Sequence, residues 1–101
     1  MKKLTLIIPA KNESESLPSV LDELKIYNLK INIILQESDI STIRSVENYP
    51  VNLIYQDNKG YGDALIKGIE TCTTDYFSIF NADGSFNPSE LKTMLFYIEK
   101  D

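Results

Sequence analysis

Two rhythms of apolar residues run along the chain. Strand-like runs occur at Leu4–Ile8, Ile31–Leu35, Val51–Tyr55 and Tyr76–Phe80, the first an unbroken β-branched and leucine-rich stretch. The first suits a strand covered on both faces, and the second also reads as a buried strand. Pro9 stops the first. Between the first two, Leu17, Val20, Leu21, Leu24 and Tyr27 recur at helical spacing and predict an amphipathic helix to about Tyr27. Ser14 or Ser16 can cap it, and Pro18 is tolerated in a first turn. The polar stretch Gln36–Ser45 reads as loop with a short helix from Ile40. Asn58-Lys59-Gly60-Tyr61-Gly62 is a glycine-punctuated loop leading into a helix through Ala64, Leu65, Gly68 and Ile69, ending near Cys72. After a loop from Asn81 to Pro88, Ser89 caps a last helix carrying Leu91, Met94, Leu95 and Ile98.

Strands alternating with helices imply βαβ units, hence an α/β fold with a mostly parallel sheet and helices on both faces. Right-handed crossovers predict the spatial order 3-2-1-4. Ligands of such sheets bind beyond the carboxyl ends of the strands. Four polar loops fall there: Pro9–Glu13, Gln36–Asp39, Gln56–Gly62 and Asn81–Pro88.

The 101 residues suffice for one core and no more, and a composition 43% hydrophobic and 25% charged is that of a globular domain. A net charge of −5 argues against a nucleic-acid partner, which needs a basic face. A phosphate-bearing small ligand remains compatible, since a metal ion or helix N-terminus supplies positive field locally. With no histidine and Cys72 as the single cysteine, imidazole-dependent triads, thiolate metal clusters and intrachain disulfides are excluded. Any metal must be a hard, oxygen-bound one. The lone cysteine fits a cytoplasmic setting. The basic start Met1-Lys2-Lys3 precedes an apolar run too short for a signal peptide, and no stretch reaches the about 20 apolar residues of a membrane span.

The sharpest chemistry lies in Phe80-Asn81-Ala82-Asp83-Gly84-Ser85-Phe86-Asn87-Pro88. A carboxylate placed just after a buried strand is held at the sheet's rim. With a side-chain oxygen two residues earlier, it can face a hard cation bridging a diphosphate. The same residues also serve as a plain strand-terminating turn.

Three segments together resemble glycosyltransferase family 2. Ile7-Ile8-Pro9-Ala10-Lys11-Asn12-Glu13 is similar to that family's opening "PAYNE" strand and loop. Asn58-Lys59-Gly60-Tyr61-Gly62-Asp63-Ala64-Leu65 with Gly68 resembles its "NKGxGxAl…G" segment, and Asn81 to Pro88 its "DADGSYDP" metal loop. They follow the family's order across about residues 4 to 98, and the pattern is similar to that of dolichyl- or polyprenyl-phosphate sugar transferases. The resemblance implies the N-terminal, nucleotide-sugar-binding part of a Rossmann-like GT-A fold. It implies transfer of a sugar from a nucleotide-diphosphate donor to a lipid phosphate or growing glycan, in cell-envelope glycan synthesis. The setting it implies is cytoplasmic, at the membrane's inner face where the acceptor or further parts bring it there.

By position, the resemblance implies that Pro9, Ala10, Asn12 and Glu13 line the nucleotide and that Glu37 or Asp39 contacts the base or ribose. Lys59 and the Gly60–Gly62 backbone would lie near the nucleotide or pyrophosphate. Asn81, Ala82 and Asp83 would meet the donor, with Asp83 and Asn81 holding Mg²⁺ or Mn²⁺. Simpler roles exist: Glu13 as a first-turn residue, Lys59 as a solvated charge, Gly60 and Gly62 as turn glycines, Gly68 as a close-packing position, Tyr61 as a packing aromatic. The chain departs from the family at Lys11, where an aromatic is usual. It departs again at Gln36-Glu37-Ser38-Asp39-Ile40-Ser41, where a paired-aspartate "DDGSTD" stretch is usual, and at Asn81, a neutral donor in place of an aspartate.

The family's domain is longer, and its later part carries the acceptor site and usually the catalytic base. Residues 1–101 therefore read as one incomplete domain without an assignable general base, without turnover by itself, and with an unpaired edge at its fourth strand. Two alternatives compete. A catalytically silent binding or interaction module of the same fold fits Asn81 and the short length. A nucleotidyltransferase-like domain would carry a glycine-rich basic loop after its first strand, and Pro9–Glu13 has no glycine.

Overall fold

A computed structural model of the chain describes residues 4–27 and 29–81. The loop from 82 and the helix expected from Ser89 lie outside these residues. Four strands, β1 (Leu4–Pro9), β2 (Lys30–Leu35), β3 (Asn52–Tyr55) and β4 (Tyr76–Ile79), form one sheet in the order β3-β2-β1-β4. All pairings are parallel. The order is the one the alternation and handed crossovers predict.

β1 and β2 are buried along almost their whole length because both of their faces are covered, whereas β3 and β4, at the two edges, are half-exposed. On one face, Leu4, Leu6, Ile8, Ile31, Ile33 and Leu35 meet helix α1 (Leu17–Leu24) through Leu17, Val20, Leu21 and Leu24. The short helix α2 (Ile40–Ser45) lies on the same side, its Ile43 and the following Val46 joining that core. On the other face, helix α3 (Tyr61–Glu70) packs on β1 and β2, where Ala64 meets Ile7 and Ile34. Gly68 is what lets α3 sit this close. A Cβ there would come 2.5 Å from the Ile7 Cγ2 atom. Its role is therefore the close-packing one.

Three local expectations shift. Pro9 is the last residue of β1 rather than a stop before it, and Ala10 N–H continues the ladder to the Ile34 carbonyl at 2.9 Å. The first helix ends at Leu24 and tightens into a 3-10 turn at Lys25–Tyr27, a common way for a helix to close its last carbonyls. Ser16 occupies the N-cap position without a side-chain cap bond; its hydroxyl donates to Glu13 Oε2 at 2.7 Å instead. Tyr49, after α2, ties the two helices: its hydroxyl donates to Asp22 Oδ1 at 2.9 Å, and Lys25 Nζ lies 5.3 Å from the centre of its ring. The Tyr49 hydrogen bond, then that of Lys25, holds Asp22 below the ordinary carboxylate value, while Asp22 pushes the Tyr49 phenol up.

Candidate functional site

The carboxyl ends of the strands open onto a cavity of about 440 Å³. The first loop contributes Pro9, Ala10, Lys11 and Glu13; the ends of β2 and β3 contribute Gln36 and Gln56. Lys59, Gly60, Tyr61 and Ala64 form the wall at the start of α3, and Asn81 closes the side beyond β4. Of the residues expected at a nucleotide site, Pro9, Ala10, Glu13, Lys59, Gly60 and Asn81 are brought together here. Asn12, Glu37, Asp39 and Gly62 are not among its lining residues, and Ala82 and Asp83 lie outside the described residues.

The first loop is pinned from the neighbouring segment. Asn12 adopts a positive φ of 54°, and its N–H donates to Asp39 Oδ2 at 2.8 Å. Glu13 N–H donates to the buried Thr42 Oγ1 at 3.1 Å, and the Glu13 carbonyl accepts from Leu17 N–H at 2.9 Å. Asp39 thus holds the loop that walls the cavity. Glu13 anchors the entry to α1 while still lining the cavity. Glu37 is exposed.

The glycine loop is held by two glutamines. Gln36 Nε2 and Gln56 Nε2 both donate to the Asn58 carbonyl at 3.1 Å, and Gln56 Nε2 also reaches the Gly60 carbonyl at 3.0 Å. Carbonyl oxygens only accept, so both carboxamides must present nitrogen to the loop. Asn58 N–H donates to Asp63 Oδ2 at 3.3 Å, and Lys67 pairs with Asp57 at 3.0 Å, which holds its ammonium above the ordinary lysine value. Gly60, at φ +109° and ψ 156°, caps α3 in a conformation reserved for glycine. Gly62 is exposed, and a Cβ built there meets nothing within 4 Å.

Sequence reasoning gave Gln36 and Gln56 no role, although each directly follows the carboxyl end of a strand, where rim chemistry concentrates. It read Tyr61 as packing. The side chain is 55% exposed, and its hydroxyl donates to Asn81 Oδ1 at 3.2 Å.

The family model for glycosyl transferase family 2 matches residues 5–101. The chain belongs to that family. Among curated proteins, uncharacterized glycosyltransferases of Mycobacterium tuberculosis and Mycobacterium bovis are 26% identical over 97 residues, covering 96% of this chain and 44% of theirs. An uncharacterized glycosyltransferase of Escherichia coli is 32% identical over 101 residues, covering 92% of this chain and 29% of its own length. The chain thus spans less than half the length of these family relatives. Among solved structures, CMP:2-keto-3-deoxy-manno-octonic acid synthetase complexed with CTP superposes with a TM-score of 0.73 at 15% identity. That match covers 99% of this chain and 48% of the synthetase. At this identity it speaks for the fold, and the fold is the Rossmann-like α/β one expected of the family.

The described residues do not by themselves suit a divalent cation. They contain no group of three or more histidine, cysteine, aspartate or glutamate side chains that could hold one. Asn81 offers a neutral oxygen already accepting from Tyr61, and the Glu13 carboxylate accepts from Ser16. Asp83, the charged ligand expected from the motif, lies outside them.

Proposed function

We propose that this chain carries the donor-binding part of a glycosyltransferase that moves a sugar from a nucleotide-diphosphate donor to an acceptor. The cavity at the carboxyl ends of β1, β2 and β3 carries this reading, because residues of all three family motifs meet on its walls. At about 440 Å³ it has the size of a small-molecule site. The start of α3, capped by Gly60, turns the positive end of a helix dipole toward it, which suits a diphosphate. Pro9, Ala10 and Glu13 would line the nucleotide, with Asn12 and Asp39 setting the loop that presents them. The Mg²⁺ or Mn²⁺ reading rests on the Asn81-Ala82-Asp83 motif alone. A lipid phosphate or a growing glycan as acceptor, and a cytoplasmic setting, belong to this proposal as well; among the described residues no helix is long and apolar enough to cross a membrane.

A thermal-shift panel of UDP-, GDP- and dTDP-sugars, with and without Mn²⁺, tests the reading. Stabilisation by at least one donor, together with its nucleoside diphosphate, is expected. Failure of every nucleotide to stabilise the chain would leave an interaction module of the same fold as the better account.

A further inference from the structure

The glycine loop at residues 57–60 has little of its own to fix it in place. All four residues are exposed, so water competes for their polar groups. Gly60 stands at φ +109° and ψ 156°, and glycine has the widest backbone freedom to lose on being ordered. Most bonds of these residues stay within their own stretch of chain. Asn58 N–H donates to Asp63, Asp57 pairs with Lys67, and the Gly60 carbonyl accepts from Ala64 N–H and Gln56 Nε2. Such bonds hold the loop to α3 and to itself, and all of them can shift together. Among the described residues, one bond of residues 57–60 reaches elsewhere in the chain. The Asn58 carbonyl accepts Gln36 Nε2 at 3.1 Å, from the residue that follows β2. β2 lies inside the sheet between β3 and β1, and its last residue, Leu35, is fully buried. Gln36 is therefore carried on the stiffest part of the fold, and its amide spans from there to the loop.

From this arrangement we infer that Gln36 is a positioning residue: it serves ligand binding by fixing the glycine loop, and with it the start of α3, before the ligand arrives. The inference rests on the donor-site reading above. The task needs an N–H at position 36. A carboxylate, the group usual in this stretch in the family, only accepts, and it would face the Asn58 oxygen with like charge. A loop fixed in advance does not have to be ordered on binding, so that cost is removed from the affinity. Such a role shows in the chain with no ligand present, which separates it from any contact of Gln36 with the ligand.

Hydrogen exchange on the ligand-free full chain, combined with calorimetric titration of UDP and GDP, tests it. Gln36→Met keeps the length of the side chain without its amide, and Gln36→Glu keeps the shape without the donor. The amides of Asn58 and Ala64 have acceptors within this segment. In both variants they should exchange roughly fivefold faster, the size of one lost hydrogen bond. Amides of β1 and β2 should keep their rates. Affinity for whichever of UDP and GDP binds the unaltered chain should fall by a similar factor. Unchanged exchange at Asn58 and Ala64 in ligand-free Gln36→Met or Gln36→Glu overturns the inference, even where affinity falls, because Gln36 would then act by contact. Faster exchange with unchanged affinity overturns it as well. Both results leave the donor-site reading standing. Binding of neither nucleotide to the unaltered chain removes that reading and this inference with it.

Discussion

Single positions in this chain act through backbone as much as through side chains. Gly68 permits α3 to touch β1, so Gly68→Ala forces Ile7 or the helix to move, since Cβ and Ile7 Cγ2 would be 2.5 Å apart. The helix-propensity gain of about 1 kcal/mol for alanine is outweighed by overpacking, which costs about 1–3 kcal/mol. Urea unfolding should show a lower midpoint, which Ile7→Val, removing Cδ1 but keeping the Cγ2 that clashes, should not restore. At Gly60 the φ of +109° makes alanine strained, although space around it is open. At Asn81 and Asp83 the expectation comes from the motif: Asn81→Asp should strengthen Mn²⁺-dependent binding of a nucleoside diphosphate, and Asp83→Ala should remove most of that dependence. Unchanged Mn²⁺ dependence in Asp83→Ala, read by calorimetry, would show that the motif residue does not hold the ion.

Among the elements, the Tyr49–Asp22 contact joins α1 to the segment after α2 and makes stability depend on pH at two ends. Asp22 is held below its ordinary value, first by the Tyr49 hydroxyl and then by Lys25. Its contribution is therefore present above the unfolded carboxylate value and lost as pH falls through the lower folded one. The Tyr49 phenol is raised by Asp22, so its contribution is present below the unfolded tyrosine value and lost as pH rises through the higher folded one. Asp22→Asn should lower the Tm at neutral pH by a small amount, because the pair is solvent-exposed. The gap to the unaltered chain should close in strong acid. A gap that persists unchanged in strong acid would mean that the contact acts through packing alone. The strands themselves were legible from sequence because β1 and β2, buried on both faces, read as mostly apolar runs and the half-exposed β3 and β4 as shorter apolar stretches, and the boundaries moved only at their ends. The 3-10 turn after Leu24 was not legible, since helix closure depends on local hydrogen bonding that periodicity does not encode. The glutamine grip on the glycine loop was hidden for a similar reason: Gln36 and Gln56 stand 20 positions apart and meet only because β2 and β3 are neighbours.

At the scale of the whole molecule, β4 pairs with β1 and forms an edge among the described residues. Phe77, on the α3 side, is 45% exposed, as are Ile66 at 59% and Ile69 at 46% on α3. A parallel edge with apolar side chains beside it invites pairing with another chain. Light scattering should show self-association that grows with concentration, reduced in Phe77→Lys; a chain that stays monomeric at high concentration would contradict this. The central claim, a nucleotide-diphosphate site at the carboxyl ends of the strands, is most directly tested by hydrogen exchange at micromolar concentration with and without the donor that stabilises the chain. Backbone amides at 10–13 and 56–64 should exchange more slowly with donor bound, while those at 72–76, at the opposite end of the sheet, stay unchanged. Protection confined to 72–76, or none at 10–13 and 56–64 at a saturating donor concentration, would contradict the account.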